Sequence, residues 1–144
     1  MRKLIICGGD RSGKTFLAKN IAAAFDHVVW LDGRMSIHAE NSFKYDGVTK
    51  ETDLIIVDDV KHEQLHIIQD LIFSDKIEVN SKGKKRFTMN TPNVIIALSV
   101  DASYFNENAL FSDYTVFCKI INTWVDKGDN GIVIRFFNKE VKVW

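Results

Sequence analysis

The chain has 144 residues, 46% of them hydrophobic, which suits one packed domain and excludes a disordered tail. Its 19 basic and 19 acidic side chains cancel, so the overall field does not draw it to nucleic acid, and any such contact must come from a local patch. Leu4-Ile5-Ile6-Cys7 is too short for a signal peptide or a membrane span, and no later apolar run is long enough, so an intracellular protein without a membrane partner is expected. Cys7 and Cys118 lack metal-ligand or redox spacing and read as reduced core residues.

Leu4-Ile5-Ile6-Cys7 stops at Gly8-Gly9, the pattern of a strand buried on both faces. Phe16, Leu17, Ile21, Ala24 and Phe25 then recur at three- and four-residue steps, which predicts a helix with Lys19 and Asn20 outward. Val28-Val29-Trp30-Leu31 reads as a second strand closed by Asp32-Gly33. Residues 34–53 have no convincing period, so a loop is expected there, with one short helix around 35–42. Leu54-Ile55-Ile56-Val57 is a further buried strand ending in Asp58-Asp59, and Leu65, Ile68, Leu71 and Ile72 give a second helix its apolar stripe.

Ile77-Glu78-Val79 and Phe87-Thr88-Met89 alternate around Ser81-Lys82-Gly83-Lys84-Lys85, which predicts a hairpin with a basic turn. Pro92 precedes a fourth buried strand within residues 93–99, and residues 116–120 form a fifth. Residues 132–137 and 141–144 read as a terminal hairpin. Strands alternating with helices predict parallel strands joined by right-handed crossovers. The expected fold is one α/β domain over residues 1–144, three-layered, with a mainly parallel five-stranded sheet, helices on both faces, and inserted and C-terminal hairpins.

Gly8-Gly9-Asp10-Arg11-Ser12-Gly13-Lys14-Thr15 has the spacing of a phosphate-binding loop, set between a strand and a helix as that motif requires. A triphosphate needs several donors converging on its oxygens, and a glycine-rich turn offers backbone N–H groups that no side chain blocks. Lys14 then reaches the β- and γ-phosphates of ATP, and the Thr15 hydroxyl coordinates Mg²⁺. Asp58 at a strand end is the second acid of such a site, holding the Mg²⁺ through water. Asp59 beside it can orient or deprotonate the water that attacks the γ-phosphate, although Asp is one methylene shorter than the Glu often used; a solvated residue opening the next helix is the plainer reading.

Lys82, Lys84, Lys85 and Arg86 place four positive charges in five positions, which suits contact with DNA or RNA phosphates as well as a solvated turn. Phe87 beside them reads as packed inward more readily than as a base-stacking ring. His62-Glu63-Gln64-Leu65-His66 matches the zinc-protease pattern HExxH, with both histidines on one helix face, but no clear third ligand follows at a protease-like spacing, Asp70, Asp75 and Glu78 being only unsupported candidates, and surface or partly packed histidines are the expectation. Trp30, Trp124 and Trp144 read as core or interface packing, and Arg11, Arg34 and Arg135 as solvated.

In order, Gly8 to Thr15, Leu54 to Asp59, the basic hairpin of residues 75–90, and residues 92–99 resemble the ATPase core of the AAA+ proteins. The resemblance is closer to the superfamily 3 helicases of small DNA viruses and plasmids, within the additional-strand class of P-loop NTPases. It implies an Mg²⁺-dependent ATPase of helicase type, a DNA-contacting hairpin lining the pore of a self-assembled ring, and a γ-phosphate sensor at Ser99. It also implies the cytoplasm, or the host cell for a viral or plasmid-borne gene. Ser99 stands where that family usually has Asn, and no arginine lies near Ser112-Asp113, where one reaching a neighbouring subunit is expected. Two alternatives stay open: a small-molecule or nucleotide kinase, whose usual arginine-rich lid has no counterpart in residues 101–130, and a non-catalytic nucleotide-gated binding module.

Overall fold

Leu4, Ile5 and Ile6, Leu54 through Val57 and Val94 through Leu98 are unbroken apolar runs, and every one of these side chains is buried. Strands of that kind form only where both faces are covered. The computed structural model describes residues 3–7, 13–33, 44–99, 115–118, 123–128, 131–136 and 139–142, with Cys7 and all residues from 115 onward described as backbone. The runs become β1 (Lys3–Cys7), β3 (Leu54–Val60) and β6 (Asn93–Leu98), flanked by β2 (Val28–Asp32) and β7 (Thr115–Cys118). All five pair in parallel, in the order β2-β3-β6-β1-β7.

Side-chain alternation along these strands splits the core in two. Leu4, Ile6, Leu54, Ile56 and Ile95 face α1 (Lys14–Ala22) and pack on its Leu17, Ala18 and Ile21. Ile5, Ile55, Val57, Val94 and Ile96 face the other way, onto Leu65, Ile68, Leu71, Ile72, Ile77 and Val79. Each such residue contributes about 1.5–3 kcal/mol relative to exposure, so the two faces together hold the sheet between its covering layers. The result is a mixed α/β domain with a mainly parallel sheet.

Three local expectations are corrected. Phe16 is 60% exposed rather than part of the helix stripe, and α1 ends at Ala22, with Ala24 and Phe25 packing from the turn beyond it. Residues 62–73 are not one α-helix but a 3₁₀ helix (His62–Ile68) running into α2 (Gln69–Phe73). Leu65 and Ile68, three residues apart, match the 3₁₀ repeat of about three residues per turn, and α2 adds Leu71 and Ile72 to the same buried layer. The segment before β3 is, where it is described, the loop expected, and it is a packed one: Tyr45 and Val48 are core residues, Tyr45 with φ 63° and its hydroxyl donating to Asp70, whose carboxylate also pairs with Lys44 at 3.3 Å. The short helix expected around 35–42 lies outside the described residues.

β4 (Lys76–Val79) and β5 (Phe87–Asn90) form the expected antiparallel hairpin, with Ile77 and Val79 in the core and Gly83 in a left-handed conformation at the turn, φ 75°. Both of its ends are tied down: the Asn80 N–H, on the turn side, donates to the Lys44 carbonyl at 3.0 Å, and the Thr91 N–H closes the base on the Asp75 carbonyl at 2.8 Å. The C-terminal part is a three-stranded antiparallel sheet, β8 (Thr123–Gly128), β9 (Gly131–Phe136) and β10 (Lys139–Lys142), one strand more than expected. Among the described residues no helix is long and apolar enough to cross a membrane.

Candidate functional site

Because β1, β3 and β6 are parallel neighbours, their C-terminal ends share one pole of the sheet. Cys7 is in register with Leu98 on one side and Cys118 on the other, and Val60 is in register with Leu98. Asp58 and Asp59, near the end of β3, and Ser99, just past β6, therefore lie at the pole toward which β1 runs. Gly8, Gly9, Asp10, Arg11 and Ser12 lie outside the described residues, as do Arg34 and Ser112-Asp113.

The described end of the glycine-rich motif turns into α1 at Gly13, whose φ of 93° is a conformation that strains any residue with a Cβ. Its carbonyl accepts from the Leu17 N–H at 3.0 Å, and the first turn of the helix carries no acidic residue and no side-chain cap. Lys14 is only 9% exposed despite its charge. The next residue, Thr15, donates its hydroxyl to the Asp58 carboxylate, 3.1 Å from Oδ2 and 3.2 Å from Oδ1. Residues 43 positions apart in the chain thus meet as two hard oxygen donors, the ligand type Mg²⁺ takes.

The acid pair sits on a distortion. Val57 pairs with Ile96 but Val60 pairs with Leu98, so β3 carries one extra residue here, a β-bulge of the kind that re-aims side chains. Asp59 absorbs it with φ 58°, which costs about 1–3 kcal/mol for a residue with a Cβ. Its N–H donates to Asp58 Oδ1 at 2.9 Å, and beyond the bulge the Ser99 N–H donates to the Val60 carbonyl at 2.9 Å. The Asp58 side chain accepts from two residues, which orients it toward the start of α1.

Two residues of this arrangement were not singled out by sequence reasoning. Gly33, just past β2, donates its N–H to the Asp58 carbonyl at 2.7 Å, and a Cβ on it would lie 2.6 Å from the Asp59 carbonyl oxygen. Gln64, in the 3₁₀ helix, donates Nε2–H to the Gly33 carbonyl at 2.6 Å and accepts the Lys61 N–H on Oε1 at 3.0 Å. The sequence signal for Gly33 was only a glycine after a strand, and Gln64 was hidden inside the HExxH match.

That match does not build a metal site. In a 3₁₀ helix positions four apart are about 120° apart around the axis, against about 40° in an α-helix, so His62 and His66 do not share a face. His62 lies 3.4 Å from its neighbour Glu63, and among the described residues no three potential metal ligands come together.

The basic turn is exposed throughout, but its charges are not equivalent. Arg86 pairs with Glu78 across the hairpin at 3.1 Å, whereas the side chains of Lys82, Lys84 and Lys85 are in no ion pair among the described residues. Phe87 is half-buried against the core, with the Lys50 ammonium 5.9 Å from its ring centre. A cleft of about 580 Å³, lined by Lys50, Thr52, Lys76, Thr88 and Asn90 among others, opens beside β5 near the starts of β3 and β6. It is at the opposite pole from Asp58.

No family model matches this chain, and no curated protein matches it. Among solved structures it is similar to one described as the A form apo structure of the NrS-1 C-terminal region, with 15% identity and a TM-score of 0.53 over 82% of this chain and 29% of that one. Likeness at this identity is likeness of fold, and the present chain spans under a third of that structure's chain.

Proposed function

We propose that this chain is a P-loop NTPase of the additional-strand class that hydrolyses ATP with Mg²⁺. The observation that carries the reading is the hydroxyl of Thr15 on the carboxylate of Asp58, at the pole where the start of α1, the end of β3 and the end of β6 meet. The strand order supports it: β6 stands between β1, which leads into the phosphate motif, and β3, which carries the acids.

In this reading the N–H groups of residues 8–13 and the Lys14 ammonium bind the β- and γ-phosphates, and the low exposure of Lys14 shields that charge from water. Thr15 and Asp58 hold Mg²⁺, whose chemistry is to neutralise charge on the phosphate oxygens. Asp59 takes a proton from, or orients, the attacking water, and Ser99 donates its hydroxyl toward the γ-phosphate.

Nucleic acid is the partner that fits the hairpin. Residues 76–90 hold Lys76, Lys82, Lys84, Lys85 and Arg86 against the single acid Glu78, in a chain that is neutral overall. Lys82, Lys84 and Lys85 are exposed on the turn and in no ion pair among the described residues, a local charge density that phosphates neutralise.

Phosphate release from ATP by the wild type, set beside Lys14→Ala and repeated with single-stranded DNA, tests the proposal. The reading expects turnover that Lys14→Ala abolishes. ATP binding with no turnover in either protein replaces it by the non-catalytic binding module.

A further inference from the structure

We propose that Gly33 and Gln64 are positioning residues that hold the Asp58-Asp59 pair in its working geometry, an inference that rests on the ATPase reading above. Four hydrogen bonds run in series through four elements. Gln64 Nε2–H donates to the Gly33 carbonyl, the Gly33 N–H to the Asp58 carbonyl, the Asp59 N–H to Asp58 Oδ1, and the Thr15 hydroxyl to the same carboxylate. The other end of the Gln64 amide accepts the Lys61 N–H, so both of its polar atoms are committed and the side chain cannot turn without losing a bond.

The end of β2 is thereby pressed on the bulge. Only glycine fits there, because a Cβ at residue 33 meets the backbone oxygens of Asp59 at 2.6 Å and Asp58 at 2.9 Å. Asp59 needs such a support. A left-handed Asp persists only where its surroundings over-determine it, and its own residue type does not. Released from the strap, the bulge is free to relax toward regular pairing with β6, which re-aims the Asp59 side chain. Catalytic groups tolerate little of this: a displacement of about 1 Å costs on the order of a hundredfold in rate.

A plainer role for Gln64 is to cap the 3₁₀ helix through Lys61, and one substitution separates the two. Gln64→Glu keeps an acceptor for the Lys61 N–H but loses the donor to Gly33, setting oxygen against oxygen.

The experiment combines steady-state kinetics with amide hydrogen exchange on the nucleotide-free protein. For Gln64→Glu we expect faster exchange at the Gly33 amide and kcat down by about tenfold or more, with KM for ATP within about twofold. Wild-type exchange at Gly33 overturns the strap, and faster exchange with wild-type kcat overturns its positioning role. A wild type with no turnover above Lys14→Ala overturns the ATPase reading instead, and the exchange arm then decides the strap by itself. Gln64→Leu, of similar size, supplies both readouts if the Glu variant does not fold.

Discussion

The end of β3 and the turn of the β4–β5 hairpin each carry a cluster of like charge, and the fold treats the two in opposite ways. Asp58 and Asp59 are half-buried, set on a bulge, and bonded to Thr15, Gly33 and each other. Lys82, Lys84 and Lys85 stand in solvent beside Gly83, whose missing Cβ would meet nothing within 4 Å. The difference matches two kinds of chemistry. Attack on a phosphate needs atoms placed to within a fraction of an ångström, whereas neutralising a polyanion needs charge density and tolerates motion.

Substituting Asp59 breaks the first side of this comparison most severely. Asp59→Gly removes the carboxylate that the proposed mechanism uses to direct water, and turnover should fall by about 10²–10⁴-fold. The same change relieves the left-handed strain, so the protein should become more stable by about 1 kcal/mol in denaturant titration. A variant both slower and less stable would contradict the strained-site account. Gly33→Ala attacks the support instead: its methyl has no room beside Asp59, and unfolding free energy should drop by about 1–3 kcal/mol. A midpoint unchanged in urea would show that the two strand ends are not pressed together.

The layer beneath the hairpin gives a pH-dependent test. Burial, then the hydrogen bond to Asp70 and the charge of that carboxylate, raise the Tyr45 hydroxyl above its ordinary value of 10.0. A group raised in the folded state contributes stability that is complete below its unfolded value and is lost as pH rises beyond it. Wild-type stability should therefore decline above about pH 10, and Tyr45→Phe should flatten that decline while costing about 1–2 kcal/mol at neutral pH. Equal alkaline slopes in the two proteins would remove Tyr45 as the cause. The smallest effect on stability belongs to the turn. Neutralising Lys82, Lys84 and Lys85 to Gln should change unfolding free energy by less than about 0.5 kcal/mol, yet weaken single-stranded DNA binding and flatten its salt dependence. A large stability loss there would mean that the turn is structural.

Much of the fold could be read from the chain because buried parallel strands are continuous apolar runs: Leu54-Ile55-Ile56-Val57 and Val94-Ile95-Ile96 have no other sensible place. The hairpin was legible for a similar reason, through alternation around a glycine turn. Phase was harder than period. The helix after the phosphate motif buries Leu17 and Ile21 as expected, but Phe16, one residue and about 100° of rotation from Leu17, is exposed while Ala18 is buried. At the candidate site, Gly13, Lys14, Thr15, Asp58 and Asp59 stood out by type and spacing. What holds them did not, because the left-handed Asp59 is set by a bulge against β6 and Gln64 meets Gly33 across 31 positions of chain. Such contacts are made by the tertiary fold and leave no local pattern.

The central claim, that Thr15 and Asp58 are two parts of one Mg²⁺-dependent ATP-hydrolysing site, is tested most directly by phosphate release as a function of magnesium concentration in the wild type and in Asp58→Asn. The account predicts that release by the wild type requires magnesium and saturates with it, and that Asp58→Asn needs far more magnesium for far less turnover. The same magnesium dependence in both proteins would contradict it.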